Sequence, residues 1–247
     1  MIIAAAQTRP ENKRISQNLD DHYRLIELAS KNGVQLIAFP EMSITGYVRE
    51  TAAQYALNEN DPRLDKLRTL AKAHHIIVIA GAPVQMPSGL HIGSFVFFPD
   101  NTQAIYTKQY LHGTESDYYT PNLNYNPQIT LENEKVSLAI CADIDHPEHA
   151  QNACKRNSTV YIPSIFFSLN GISEAYDNLS RYAKTYSLNV LMSNFTGIGW
   201  NNTESAGQSA FWNAEGQLLA GLNKDSTGLV IAEKNKNVWS SRVINEN

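Results

Sequence analysis

The fold class is decided by residues 2–41, which have the sequence IIAAAQTRPENKRISQNLDDHYRLIELASKNGVQLIAFPE. Two short apolar runs, residues 2–6 and 36–39, have the length and composition of buried strands. Between them, apolar side chains recur in steps of three and four from Ile15 to Ala29, which is the spacing of one helix face, and Gly33 follows as a C-cap. This alternation predicts an α/β layered fold in which helices cover the strands.

The same kinds of segment continue along the chain. Asp61-Pro62 predicts the start of a second helix, and a third is expected from about Ser173. Residues 90–106 predict a hairpin around residues 99–101, so some antiparallel pairing is expected, and residues 208–230 predict short strands joined by turns. The other apolar runs predicted as strands are residues 76–80, 95–98, 136–140, 160–162 and 190–192.

No repeat and no flexible linker interrupts this pattern, so the sequence favours one domain over residues 1–234. From residue 235 to residue 247 the composition is polar except for Val238, Trp239, Val243 and Ile244. Such a short tail is unable to bury four apolar side chains alone. We expect it either to fold back or to pack on a partner subunit, and the segment around Trp239 is the candidate for a dimer interface.

The composition excludes several classes of protein. The chain has 247 residues with a net charge of −4, which argues against nucleic-acid binding through a basic surface. No basic stretch opens the chain, so no signal peptide is expected, and no apolar run is long enough to span a bilayer. Two cysteines are too few for a disulfide scaffold. The sequence therefore predicts a cytoplasmic protein without membrane contact, in which Cys141 or Cys154 is available as a working thiol.

Reactive side chains follow three of the apolar runs. Glu41 comes just after one strand, Cys141 directly after another, and Lys108 after a third, with Glu115 seven residues beyond the lysine. The carboxyl ends of strands are where α/β proteins collect catalytic groups. A nucleophilic thiol needs a base to take its proton and a cation to stabilise the thiolate and the oxyanion, and this set supplies both.

The sequence resembles the carbon–nitrogen hydrolase (nitrilase) superfamily from residue 2 to about residue 232. Residues 39–47 (FPEMSITGY) match its glutamate motif, residues 108–111 (KQYL) its lysine motif, and residues 140–143 (ICAD) its nucleophile motif. The resemblance implies a single-domain, four-layer α-β-β-α sandwich, assembly as a homodimer, and no cofactor or metal. It implies a Glu-Lys-Cys triad that hydrolyses a small linear amide or carbamoyl substrate through a thioester.

The resemblance also assigns roles to single residues. It implies Glu41 as general base, Lys108 as oxyanion donor, Cys141 as nucleophile, and Glu115 as the second glutamate that positions the lysine. The residues that the resemblance places at the substrate are Tyr47, Ala142, Pro163 and Phe166. Nitrile hydrolysis and acyl transfer remain alternatives on the same triad.

Two other classes of function compete with this interpretation. Residues 143–149 (DIDHPEH) hold five potential metal ligands, which leaves a metallohydrolase as an alternative, although charges that cap a helix start explain them better. A non-catalytic scaffold is the second alternative. The presence of all four residues of the expected site argues against it: Glu41, Lys108, Glu115 and Cys141. Cys154 is expected to pack on the helix that follows the nucleophile.

Overall fold

The computed structural model describes residues 1–246. The strands of this part of the chain are β1 (Ile2–Gln7), β2 (Leu36–Ala38), β3 (Ile77–Met86), β4 (Gly89–Phe97), β5 (Gln103–Thr107), β6 (Ile129–Leu131), β7 (Glu134–Ile140), β8 (Val160–Ile165), β9 (Asn189–Asn194), β10 (Thr196–Ile198), β11 (Glu204–Ala206), β12 (Ala210–Trp212), β13 (Leu218–Gly221), β14 (Thr227–Asn235) and β15 (Val238–Glu246). The α-helices are α1 (Ile15–Lys31), α2 (Ala52–Tyr55), α3 (Asp65–His74), α4 (Pro147–Lys155) and α5 (Ile172–Tyr186).

Two mixed sheets form the centre of the molecule. The first has the strand order β15-β14-β1-β2-β3-β4-β5, and the second has the order β13-β12-β9-β8-β7-β6. In the first sheet β1, β2 and β3 are parallel, as are β7, β8 and β9 in the second, and antiparallel strands extend both sheets. The hairpin predicted around residues 99–101 is the turn between β4 and β5.

Three apolar cores separate four layers. One core lies between the two sheets and contains side chains of both, such as Ile3 and Leu138. A second core packs α1 and α3 against the outer face of the first sheet, with Leu25 and Leu67 among its members. A third packs α4 and α5 against the second sheet. The predicted four-layer α-β-β-α sandwich is thus confirmed.

The C-terminal segment folds back on the same chain. Strand β15 pairs antiparallel with β14 along its whole length, from Val238 opposite Asn235 to Glu246 opposite Thr227. The Trp239 ring lies 5.3 Å from the ring of Phe211 in the second sheet, measured between centroids. The predicted boundary after residue 234 therefore falls inside β14, and Trp239 finds its contact within its own chain. Residue 247 lies outside the described residues.

The helices of the described chain are short or amphipathic. Among residues 1–246, no helix combines the length and the apolar composition that crossing a bilayer requires.

Candidate active site

The two sheets bring the three predicted catalytic side chains to one place. Glu41 follows β2, Lys108 follows β5, and Cys141 follows β7, so each lies at the carboxyl end of its strand. Strand β5 runs parallel to β2 in the first sheet, which places the first two side chains at the same edge, and β7 of the facing sheet supplies the third. The arrangement expected from the strand ends is the one observed.

Close packing against β3 determines the position of Glu41. The Phe39 N–H donates to Ile79 O at 2.8 Å, and the loop then turns across Gly81. A Cβ atom on Gly81 would lie 2.5 Å from the Met42 nitrogen and 2.7 Å from the Pro40 oxygen. Only glycine lets the loop that carries Glu41 approach the strand so closely.

A buried histidine supports the same loop from the helix side. His22 of α1 stacks on the Phe39 ring and places its Nε2 atom 2.9 Å from Ser43 Oγ. Its Nδ1 atom lies 2.7 Å from Asn18 O. Burial lowers the pKa of His22 to about 4, so the ring is neutral at neutral pH.

Lys108 lies between two carboxylates. Its Nζ atom is 2.8 Å from Glu41 Oε1 and 2.9 Å from Glu115 Oε2, and all three side chains are fully buried. Glu115 also accepts hydrogen bonds from the Tyr47 hydroxyl and, at 2.8 Å, from the His112 N–H. One oxygen of Glu41, Oε2, has no hydrogen-bond partner among the described residues and remains free to accept a proton.

The two carboxylates differ in proton affinity. Burial raises the pKa of Glu41 to about 7, with the charge of Glu115 adding to the effect of burial and that of Lys108 opposing it. Burial also acts on Glu115, but the charge of Lys108 and the hydrogen bond from Tyr47 outweigh it and lower its pKa. Burial alone would lower the pKa of Lys108, yet the charges of Glu41 and other nearby groups raise it well above its usual value. The lysine is therefore charged, and Glu41 is the group that titrates near neutral pH.

Cys141 occupies a strained turn at the end of β7. Its φ angle is +44°, in the left-handed region, and it begins a 3₁₀ turn over Cys141–Asp145. Its Sγ atom lies 3.8 Å from Phe166 O. Burial and then the charge of Glu41 raise the pKa of the thiol well above its usual value, so the thiol is protonated in the free protein.

Asp143 ties the cysteine turn to the lysine loop. Its Oδ1 atom accepts the N–H groups of Gln109 and Tyr110, both at 2.9 Å. Its Oδ2 atom accepts the Ile140 N–H at 2.8 Å and the Tyr106 hydroxyl at 2.6 Å. The same carboxylate thus holds Gln109, which follows Lys108, and Ile140, which precedes Cys141. Asp143 belongs to the matched motif at residues 140–143, but the only roles predicted for it were those of a potential metal ligand or a helix cap.

A cavity of about 390 Å³ opens above Cys141. Two of the four predicted substrate-binding residues, Tyr47 and Phe166, line it. Ala142 is buried in the 3₁₀ turn and Pro163 is buried in β8 opposite Ala139, and neither belongs to the lining. Phe167 and Ser168, which follow Phe166 in the sequence, also line the cavity. Lining residues that the sequence did not predict include Arg49, His112, Asp145, Glu174, Trp200 and Thr203.

The acidic and histidine-rich segment after Cys141, residues 143–149, forms hydrogen bonds within the chain. His149 lies 2.8 Å from the hydroxyls of both Tyr106 and Tyr161, and through Tyr106 it connects to Asp143. Within residues 1–246, no three His, Cys, Asp or Glu side chains converge so that they could hold a metal ion. Cys154 lies half-buried on α4, as expected.

Comparison with known proteins identifies the family. The carbon-nitrogen hydrolase family matches residues 2–241 of the chain. The chain therefore belongs to this family, and the resemblance found in its sequence motifs is confirmed.

Several individual proteins are similar over much of the chain. The NitN amidase of Nesterenkonia sp. AN1 shares 24% identity and superposes with a TM-score of 0.86, covering 96% of this chain and 93% of the amidase. A variant of that amidase with alanine in place of a cysteine has been solved in complex with butyramide. The deaminated glutathione amidase of Synechocystis sp. is 22% identical, covering 94% of this chain and 91% of the relative.

This chain matches only part of a further relative. Nitrilase homolog 2 of Dictyostelium discoideum is 25% identical over 63% of this chain, and the match spans about half of that relative, 51%.

Proposed function

We propose that the chain hydrolyses a small linear amide or carbamoyl compound through a thioester on Cys141. The observation that carries this proposal is the buried Lys108 held between Glu41 and Glu115, next to a thiol that faces a cavity. Burying a lysine and two carboxylates is costly for stability, so the cluster argues for a catalytic purpose.

In the proposed first step, Glu41 takes the thiol proton of Cys141 while the sulfur attacks the carbonyl carbon. Because the pKa of the thiol lies above that of Glu41, proton transfer is uphill in the free protein and is coupled to formation of the carbon–sulfur bond. The tetrahedral oxyanion accepts hydrogen bonds from Lys108 and from the Ala142 N–H. One such donor typically lowers the barrier by about 3–4 kcal/mol.

In the second half of the reaction, the proton moves from Glu41 to the leaving group. The protonated Glu41 returns its proton to the leaving ammonia or amine as the carbon–nitrogen bond breaks, which leaves the acyl group on sulfur. Glu41 then takes a proton from water as the water oxygen attacks the thioester carbon. The carbon–sulfur bond breaks, the acid is released, and Glu41 returns the proton to sulfur, which regenerates the thiol. Glu115 stays ionised throughout and holds Lys108 in place.

The substrate class is proposed from the cavity and the relatives. Aromatic side chains flank the thiol, with the rings of Tyr47 and Phe166 4.8 Å apart between centroids, and the cavity volume suits a small compound. A variant of a structural neighbour of the same fold has been solved in complex with butyramide, which supports an amide substrate. Nitrile hydrolysis and acyl transfer to an amine are the outcomes against which this proposal is tested.

The test is ammonia release from a panel of small amides, ureido acids and nitriles. We expect Cys141→Ala to abolish release while the matched variant Cys154→Ala keeps it, since only Cys141 faces the cavity. Circular dichroism checks that both variants fold. Equal turnover in Cys141→Ala and the wild type would refute the thiol mechanism, and loss of turnover with EDTA would favour the metallohydrolase instead.

Two wider expectations stay predictions. Assembly as a homodimer is measured by light scattering of the purified chain, and a single-subunit mass would contradict it. The cytoplasmic location is checked by fractionation of the source cells.

A further inference from the structure

The catalytic cluster contains a second buried cation that none of the matched motifs assigns. Arg49 lies between β2 and α2, and its side chain is only 8% exposed. Its Nη1 atom donates to Thr114 Oγ1 at 2.9 Å, and its Nη2 atom lies 3.9 Å from Glu115 Oε1. The Trp200 ring covers one face of the guanidinium, with 3.9 Å between the guanidinium carbon and the ring centroid.

Arg49 balances the charge of this cluster. Glu41 and Glu115 carry two negative charges when both are ionised, and Lys108 supplies a single positive charge between them. With Arg49 the sum of these four charges is zero. Without it, a net negative charge would be left in a water-poor site, and such a charge favours protonation of one carboxylate.

We propose that Arg49 is a positioning residue whose charge keeps Glu41 and Glu115 ionised together, so that Glu41 is free to take the Cys141 proton at neutral pH. This inference rests on the function proposed above. Arg49 does not touch the reacting atoms in this scheme, and it acts through the carboxylates.

The groups that face Arg49 agree with this role. Burial opposes its positive charge, but the nearby oxygens of Tyr47, Glu115 and Glu41 raise its pKa. Trp200 excludes water from the guanidinium face, which weakens dielectric screening of these charges. The other charged or titratable side chains around the cavity are solvent-exposed and act more weakly: His112, Asp145 and Glu174.

The experiment measures the pH dependence of Cys141 alkylation by iodoacetamide. Alkylation needs no known substrate, and a Cys154→Ala background leaves Cys141 as the single thiol. Arg49→Met removes the charge and keeps an apolar stem against Trp200, Arg49→Gln also keeps a donor for Thr114, and Arg49→Lys keeps the charge. Circular dichroism identifies which variants are folded. Because there are two neutral variants, the experiment can still be read if one of them misfolds.

We expect the midpoint of the alkylation profile to rise by about one pH unit in each neutral variant, because an opposite charge within 4–6 Å shifts a carboxyl pKa by about 1–3 units. Arg49→Lys should keep the wild-type midpoint. The inference would be overturned if folded Arg49→Met and Arg49→Gln had the same alkylation midpoint as the wild type. It would also be overturned if the midpoint rose equally in Arg49→Lys, because the effect would then come from lost packing. Failure of the proposed function is separate, since it shows as ammonia release that survives Cys141→Ala.

Discussion

Replacing Asp143 with asparagine tests whether one carboxylate holds the cysteine turn and the lysine loop together. Asp143 accepts four hydrogen bonds, and all four partners are donors. An asparagine offers one oxygen and one NH₂ group, so its NH₂ must face one pair of donors. The NH₂ group is expected to replace Oδ2, where the two donors are the Tyr106 hydroxyl and the Ile140 N–H. This orientation is less costly because the Tyr106 hydroxyl has an alternative acceptor, His149 Nε2, at 2.8 Å. Only the Ile140 N–H then loses its acceptor.

The magnitude follows from this count. One buried N–H left opposite another donor costs about 1–3 kcal/mol, and exchanging a charged acceptor for a neutral one weakens each remaining bond by about 1 kcal/mol. We therefore expect Asp143→Asn to lower the free energy of unfolding by about 3–5 kcal/mol. Turnover should fall by about 100-fold as well, because displacing Cys141 from Lys108 by about 1 Å removes the attack geometry.

Urea denaturation followed by circular dichroism measures the stability, and ammonia release measures turnover. The matched control is Asp177→Asn on the exposed surface of α5, for which we expect a change within about 0.5 kcal/mol. A loss below about 1 kcal/mol in Asp143→Asn, with turnover retained, would show that this network does not hold the site together.

Three further predictions follow from the groups around Glu41. Because burial raises the pKa of Glu41 to about 7, turnover should fall tenfold per pH unit below that value, and a pH profile of kcat/KM that stays flat down to pH 5 would contradict its role as base. Burial lowers the pKa of His22 from 6.5 to about 4, so between pH 6.5 and pH 4 the unfolded chain binds more protons than the folded protein. The neutral, buried His22 therefore contributes fully to stability above pH 6.5. About 3 kcal/mol of unfolding free energy should be lost as the pH falls to 4. Urea titrations at several pH values measure this loss, and His22→Gln should show a flatter dependence. Gly81→Ala places a methyl group against the Glu41 loop and should cost about 3 kcal/mol and much of the turnover, whereas Gly221→Ala, whose nearest neighbour lies at 3.6 Å, should cost little; equal urea midpoints for the two would contradict the packing argument.

Much of the fold was predictable because its signals are local. The buried parallel strands show as short apolar runs, and α1 shows as a helical stripe, so both can be identified without knowledge of any distant contact. Strand β3 extends beyond its predicted run to Met86, because Gly81, which allows close packing against the Glu41 loop, and Pro83 interrupt the apolar pattern. Strand β4 begins at Gly89, one residue before the predicted hairpin. Strand β15 was predicted as a polar tail, since its pairing with β14 depends on backbone hydrogen bonds more than on burial.

The clustering of Glu41, Lys108 and Cys141 was predictable for a similar reason, since each directly follows a strand or matches a motif. Arg49 and Trp200 were not, because they meet only when the hairpin of β10 and β11 folds over the cavity, and neither has a local signal that points to the other. The role of Asp143 was missed because its partners at Gln109 and Tyr110 are backbone groups of another loop, and every residue type offers the same N–H.

The pairing of β1 with β14 has a consequence for biosynthesis. Ile2 lies opposite Glu233, so β1 leaves the ribosome about 230 residues before the strand that satisfies its second edge. At about 5–20 residues per second, that delay is on the order of ten to fifty seconds. During it, the apolar strand edge at the centre of the first sheet is open to wrong partners, which is the situation in which chaperones bind nascent chains. The sheet that carries Glu41 and Lys108 is thus completed only after β14 has been synthesised.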